Sequence, residues 1–177
     1  PRAVDASGMS TLLARYSVLG EVGDLSGSTV LEVGSGLGHL GEYLIEEFNG
    51  VRYRGIDISA GKVSAASKRL PTLSFENLNV LDLDETQDAA DYVLSQGTFY
   101  LLGEKAPEMM ALLIGKMFSL ARKADAFTTL SSWSEEKEAG EYYADPAETL
   151  KLCGRLAERV VLRHDYHPGD FAIYLLK

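Results

Sequence analysis

The sequence predicts an α/β fold in which helices cover both faces of a mostly parallel sheet. Short β-branched runs alternate with helical patterns along the whole chain, the pattern of parallel strands joined by crossover helices. The apolar run Val30-Leu31-Glu32-Val33 passes into Gly34-Ser35-Gly36-Leu37-Gly38 and then into a helical pattern, so a strand leads directly into a helix through a glycine turn. A last apolar run after His167-Pro168-Gly169-Asp170 predicts a reversed strand closing an antiparallel hairpin.

Taken in order, Ser10 caps a helix running to about Leu19, and residues 28–33 form the first strand. Leu37, Leu40, Leu44 and Ile45 have helical spacing within residues 37–48. A second strand covers residues 51–58, and Ser59 caps the helix after it. Residues 73–80 and 91–95 are the third and fourth strands, separated by the acidic stretch 82–91, read as a solvated loop or short helix. Pro107 suits the first turn of a long helix reaching about Arg122, with Met110, Leu113, Ile114, Met117 and Leu120 as its buried stripe. Residues 126–131 are the fifth strand. Asp145-Pro146-Ala147-Glu148 is a capping box opening a helix to about Ala157, and residues 159–163 and 171–176 form the final hairpin.

Composition bounds what such a fold can do. A chain of 177 residues with 46% apolar content builds one core, expected as one domain over residues 1–177, the first 25 residues forming a helical cap. The single cysteine, Cys153, rules out an intrachain disulfide, fits a cytoplasmic protein, and lies in a helical apolar pattern that predicts a core thiol. No stretch approaches the roughly 20 apolar residues of a membrane-spanning helix, so no membrane partner is expected. A net charge of -9 works against a nucleic-acid partner, because that affinity depends on cations neutralising phosphates. No metal-ligand pattern is present, and no metal is expected.

Chemistry concentrates at the strand ends. Glycines after the first strand let a ligand approach the backbone near a helix N-terminus. Gly36, Gly38 and Gly41 meet the dinucleotide spacing G-x-G-x-x-G, but that register starts two residues past the strand end; counted from Gly34, the third position is His39. What fits instead is an acid, Glu32, followed by G-x-G-x-G. Asp57 ends the second strand about 20 residues further on, where a carboxylate can accept from both hydroxyls of a ribose.

In this motif the chain resembles the class I S-adenosylmethionine-dependent methyltransferase family. The resemblance implies a Rossmann-like three-layer sandwich with seven strands, S-adenosylmethionine as cofactor and S-adenosylhomocysteine as product. It implies that Glu32 neighbours the cofactor's methionine end, wrapped by Gly34, Ser35 and Gly36, and that Asp57 and Ile58 meet the ribose. Phe75-Glu76-Asn77-Leu78-Asn79-Val80 resembles the family's third strand end, with Asn79 where Asp is common; Asn79 and Val80 are then expected at the adenine edge. Tyr92-Val93-Leu94-Ser95-Gln96-Gly97-Thr98-Phe99 resembles the fourth strand and its loop, with Gln96 between cofactor and acceptor.

The acceptor is expected to be a small, partly apolar molecule methylated at oxygen or nitrogen, because the net charge of -9 disfavours nucleic acid and the rim is aromatic; the Asn-Pro-Pro-Tyr motif of amide and adenine methylation is absent. Its rim is placed after strands four to six: Phe99 and Tyr100, Ser131 to Trp133, and His164 to His167, with Tyr142 and Tyr143 as a lid. His164 is the candidate base, oriented by Asp165 or another carboxylate, while His167 reads as turn chemistry. Arg15 and Tyr16, on the first helix, are placed near the cofactor's carboxylate, and the acidic run 135–141 reads as a solubilising face. Two alternatives stand beside this reading: an NAD-dependent oxidoreductase, weakened by the glycine register and by a missing Tyr-x-x-x-Lys, and a non-catalytic S-adenosylmethionine-binding protein.

Overall fold

The computed structural model describes residues 6–177, without the side chains of residues 6, 7, 9 and 104. Its strands are β1 (Thr29–Val33), β2 (Arg52–Asp57), β3 (Ser74–Asn77), β4 (Ala90–Gln96), β5 (Ala121–Leu130), β6 (Arg159–Arg163) and β7 (Asp170–Leu176). They form one sheet in the order β3-β2-β1-β4-β5-β7-β6. Only β7 is reversed, pairing antiparallel with both β5 and β6. The Rossmann-like class expected above is what the chain adopts.

Strand alternation divides the apolar residues into two cores. Leu31, Val33, Val93, Phe127 and Ile173 face α4 (Ala106–Leu120) and α5 (Pro146–Cys153), where Met110, Ile114, Met117 and Cys153 are buried. Val30, Leu94, Ala126 and Tyr174 face α1 (Ala6–Gly20) and α2 (His39–Glu47) through Val18, Leu19, Leu40 and Leu44. Each such side chain contributes about 1.5–3 kcal/mol on burial. The helix α3 (Ala60–Arg69) begins at Ser59, whose hydroxyl accepts the Lys62 N–H.

Several boundaries differ from the sequence reading: the first helix runs from Ala6, so Ser10 lies within it instead of capping it, and others shift for local reasons. The third strand is shorter than 73–80: Asn77 turns its amide to the Asp57 carbonyl at 2.9 Å, and Asn79 accepts the Leu81 N–H to open a 3-10 turn at Val80. The fourth helix stops at Leu120 rather than near Arg122, because residues 121–125 already pair with β4, extending β5 back from 126. The last helix ends at Cys153, where Gly154 turns its N–H back onto the Leu150 and Leu152 carbonyls. Asp145 accepts the Glu148 N–H at 2.9 Å, but Glu148 pairs with Lys151 instead of completing the capping box.

The strand order also decides where a ligand can sit. From β1 the chain moves outward through β2 to β3 and then crosses to β4 on the other side, so the crossovers diverge between the carboxyl ends of β1 and β4. The end of β1 is Gly34, and beyond the end of β4 come Gly97 and Thr98.

Candidate functional site

Gly34 has φ +76°, and a Cβ there would overlap the Thr98 hydroxyl, so the first turn residue is restricted both by its backbone and by its neighbour. Thr98 and Ser95 hydroxyls lie 2.8 Å apart, at 3.2 and 2.9 Å from the Val33 carbonyl. They brace β4 against β1 at the divergence. The Gly34 and Ser35 N–H groups both bond the Ile56 carbonyl, at 2.8 and 2.9 Å. Gly36 has φ +56°, and a Cβ on it would meet nothing nearer than the Gly34 carbonyl at 4.0 Å, so the turn faces open space.

Asp57 ties this turn to β2. Its Oδ2 accepts the Gly36 N–H at 2.9 Å and its Oδ1 accepts the Ser59 N–H at 2.8 Å, which leaves each oxygen a lone pair for a further donor. Glu32 is buried on the α2 side of β1, where it accepts from the Tyr53 hydroxyl. Burial first, and then the Asp57 charge, push its carboxyl above the usual carboxylate range. Gly41, which completed the dinucleotide spacing, sits on α2 where the Tyr53 ring occupies the space of a side chain. Its glycine is thus a packing requirement.

Two cavities open at the divergence and share Gly97. The first, of about 410 Å³, is bounded by Gly34, Asp57, Ile58, Asn79, Val80 and Leu101. Ile58 is 78% exposed and Leu101 64%, so apolar surface flanks the Asp57 carboxylate. Asn79 spends its carbonyl on the Leu81 N–H, and its amide group is left to donate. The second, of about 620 Å³, lies above β4, β5 and β7 and is bounded by Arg15, Gln96, Tyr100, Thr129, Tyr143 and Asp170, with Glu136, Glu138 and Glu141 at its mouth. A buried Ser35 hydroxyl near the first cavity and a buried Thr129 hydroxyl near the second have no hydrogen-bond partner among the described residues.

A family model described as methyltransferase domain matches residues 31–122, more than half of the chain. The chain belongs to the methyltransferase family. It is 29% identical over 156 residues to the Mycobacterium tuberculosis protein named "Putative methyltransferase Rv1506c", covering 84% of this chain and 93% of that one. Among solved structures, magnesium protoporphyrin IX methyltransferase (ChlM) from Synechocystis PCC 6803 with bound S-adenosylhomocysteine matches with a TM-score of 0.75 at 15% identity, over 100% of this chain and 90% of that one. A SAM-dependent methyltransferase from Aquifex aeolicus matches with a TM-score of 0.71 at 20% identity, over 97% and 98%. This methyltransferase is therefore of the S-adenosylmethionine-dependent class, and the oxidoreductase alternative falls away.

The residues present fit the cofactor of a methyltransferase: an open glycine turn, a carboxylate with free lone pairs, and an apolar slot wide enough for a nucleoside base lie on one continuous edge. Gly34, Asp57, Ile58, Asn79 and Val80 line the smaller cavity and Gln96 the larger, whereas Glu32, Ser35 and Gly36 line neither and shape the turn from beneath.

The acceptor side differs more from the sequence reading. Phe99 is fully buried, edge-on to Phe127 at 5.2 Å, and belongs to the core. Tyr142 packs partly buried against the core, leaving Tyr143 on the cavity. His164 lines neither cavity; its Nε2 is 2.8 Å from the Ser131 hydroxyl and its ring lies between Trp133 and Phe171. Asp165 does not orient it, being paired with Arg163 at 2.8 Å. His167 does line the cavity, and its Nδ1 accepts the Gly169 N–H at 3.0 Å. The run 135–141 is solvent-exposed over 135–140, as expected, and its residues also edge the larger cavity. Arg15 lies on the acceptor cavity, paired with buried Asp170 at 3.0 Å, and Tyr166 donates to the same carboxylate. Asp170 and Thr129 carried no site signal, since the first reads as part of the turn before the last strand and the second as an ordinary strand residue.

Proposed function

We propose that this enzyme transfers a methyl group from S-adenosylmethionine to an oxygen or nitrogen atom of a small acceptor held in the larger cavity. The observation that carries the reading is the meeting of two cavities at Gly97, one nucleoside-sized and lined by Asp57, the other lined by Gln96 and the 134–143 flap. Asp57 would accept from the ribose hydroxyls, Ile58 and Leu101 would flank the adenine, and the Asn79 amide and the Val80 backbone would meet its edge. Ser35 and Gly36 would hold the turn against the methionine end, with Glu32 and Tyr53 supporting it from below. The bound cofactor supplies the electrophilic methyl carbon; the protein's part is to align the acceptor in a site shielded from water.

Such a transfer needs no strong base. His164, bonded to the buried Ser131 hydroxyl outside both cavities, would brace the end of β5 rather than take a proton from the acceptor. His167 in its neutral form carries its proton on Nε2, because Nδ1 is occupied as an acceptor, and so offers the acceptor a donor. Residues 1–177 would then form one domain, with α1 as a cap contributing Leu12 and Arg15; residues 1–5 of that cap lie outside the described structure. The chain's net charge of -9 favours a small acceptor over a nucleic acid, and its single buried Cys153 suits the cytoplasm. Among the described residues no helix is long and apolar enough to cross a membrane.

Calorimetric titration with S-adenosylmethionine, S-adenosylhomocysteine and NAD tests the cofactor side. Both sulfur nucleosides should bind, NAD should not, and Asp57→Ala should weaken the nucleosides at least about tenfold, the cost of losing hydrogen bonds to a charged group. Equal binding in the variant would remove Asp57 from the site.

A further inference from the structure

The inner wall of the larger cavity is built on the α1 face of the sheet. Strand alternation puts Gln96, Thr128 and Asp170 on that face, the same one that carries Leu94, Ala126 and Tyr174. Asp170 opens β7 there and is only 2% exposed. The Tyr166 hydroxyl donates to its Oδ1, and Arg15 of α1 stands with Nε 3.0 Å from its Oδ2. The Asp170 carboxylate thus holds the Arg15 guanidinium in the cavity wall.

That guanidinium has more donors than the fold uses. It carries five N–H groups in a planar fork. The buried Nε–H makes no hydrogen bond, its contact with Asp170 being one of charge, and no described residue accepts from either terminal nitrogen. A buried donor without a partner is uncommon and costs free energy, so a ligand that accepts from it supplies what the fold leaves open.

The neighbours of Arg15 are donors too. His167 lines the same cavity, and because its Nδ1 accepts the Gly169 N–H, the ring's proton is on Nε2. Thr128, paired with Gln96 in the sheet, is 1% exposed, and its hydroxyl has no partner among the described residues. Leu12, Leu130 and Tyr100 supply apolar wall. The acids Glu136, Glu138 and Glu141 stand further out, exposed or half-exposed, where salt screens them; the Arg15 side chain is 18% exposed.

We infer that the methyl acceptor of this enzyme is a small monocarboxylic acid, and that the terminal nitrogens of Arg15 grip its carboxylate inside the larger cavity. This rests on the methyl-transfer reading above. A guanidinium meets the two oxygens of a carboxylate with two parallel N–H···O bonds, so charge and shape are read together. Asp170 is a positioning residue that orients the fork and does not touch the acceptor. The acids at the mouth oppose a second anionic group, which limits the acceptor to one carboxylate. The cofactor also has a carboxylate, but Arg15 borders the larger cavity and not the smaller one that holds Asp57.

The test titrates 3-phenylpropionate, 3-phenylpropionamide and phenylsuccinate into the protein loaded with S-adenosylhomocysteine. Phenylpropionate should bind about tenfold more tightly than its amide, and phenylsuccinate, with its second carboxylate, more weakly than phenylpropionate. Arg15→Lys keeps a charge beside Asp170, and with it the fold, but loses the fork; the preference for the carboxylate should fall at least about threefold. Arg15→Met should bring it within about twofold. Both variants should bind S-adenosylhomocysteine, and 5′-methylthioadenosine, which lacks the carboxylate, as the native protein does. A carboxylate bound no more tightly than the amide, phenylsuccinate bound most tightly, no binding of any probe, or a preference that survives in both variants would overturn the inference and leave the cofactor reading intact. Weaker S-adenosylhomocysteine with unchanged 5′-methylthioadenosine in the variants would assign Arg15 to the cofactor's carboxylate and overturn it equally. Failure of S-adenosylhomocysteine to bind the native protein would overturn the methyl-transfer reading and this inference with it.

Discussion

The Asp57 carboxylate accepts the Gly36 backbone N–H at 2.9 Å, binding the end of β2 to the glycine turn that follows β1. Its second oxygen accepts the Ser59 N–H at 2.8 Å, so the residue proposed to meet the ribose also fixes the shape of the site before any ligand arrives. Two functions on one carboxylate can be separated. Asp57→Asn keeps one oxygen acceptor and replaces the other with an amide NH2 donor, which opposes one of the two N–H groups. It should cost about 1–3 kcal/mol in stability by urea unfolding and also weaken S-adenosylhomocysteine binding in calorimetry. Loss of binding with unchanged stability would show that the turn holds its shape without Asp57.

Gly34→Ala places a Cβ against the Thr98 hydroxyl and in a backbone region unfavourable to any L side chain. The φ penalty alone is about 1–2 kcal/mol, and the overlap adds to it. Adding Thr98→Ala should return the overlap part but not the φ part, so a double-mutant cycle on thermal unfolding should be non-additive, with the double variant more stable than the sum of the singles. Additive effects would mean that the Thr98 contact does not restrict Gly34.

Asp125 lies fully buried in the middle of β5 with neither carboxylate oxygen bonded. Burial holds its carboxyl well above the usual carboxylate range, with the Lys177 charge opposing. The folded state then keeps a proton that the unfolded chain releases, so its contribution is fully present below the ordinary carboxylate pKa and is lost as pH rises above it. Asp125→Val should stabilise the protein by about 1–3 kcal/mol at neutral pH, and the gain should shrink on acidification. Chemical denaturation at pH 4, 5.5 and 7 measures it; a gain independent of pH would assign the effect to packing alone.

Asp170 carries a carboxyl pushed up to about 6, by burial first and against the pull of Arg15 and the Tyr166 hydroxyl. Its folded value again exceeds the unfolded one, so its own contribution to stability is fully present below about pH 4 and is lost, by about 3 kcal/mol, as pH rises through 6. Arg15→Met removes the nearest cation and should move the titration higher still. The carboxyl carbon shift of Asp170, followed by NMR from pH 4 to 8, reads both; a downward move in the variant would contradict the pairing at 3.0 Å.

Most elements and the cofactor turn were legible in the sequence because their causes are local. A strand that buries both faces reads as an unbroken apolar run, a helix reads through its spacing and cap, and Asp57 stands at a fixed distance from glycines that cannot be replaced. Even Gly41, misleading in spacing, announces that something must come close; only the fold shows that it is the Tyr53 ring.

The acceptor side was not legible, because its members meet through tertiary contacts. Phe99 and Tyr100 are adjacent aromatic residues, yet one faces the core at Phe127 and the other the cavity, a choice made by the turn that follows β4. Glu136, Glu138 and Glu141 read as a solvated run and are exposed or half-exposed, yet the Tyr143 hydroxyl and the Tyr100 carbonyl anchor their segment beside the cavity, which the run itself does not announce. His164 and His167 are three residues apart, and the bend between β6 and β7 decides which of them meets the space. The sequence by itself determined the fold class, pointed to the cofactor class through its resemblance, and placed the glycine turn after β1, since that turn and the strands depend on periodicity and on conformational freedom confined to a few neighbouring residues. Which side chains surround the acceptor was decided only by the tertiary structure, because that cavity is assembled from α1, the ends of β4, β5 and β7 and a flap, brought together by packing of the sheet rather than by proximity in the chain.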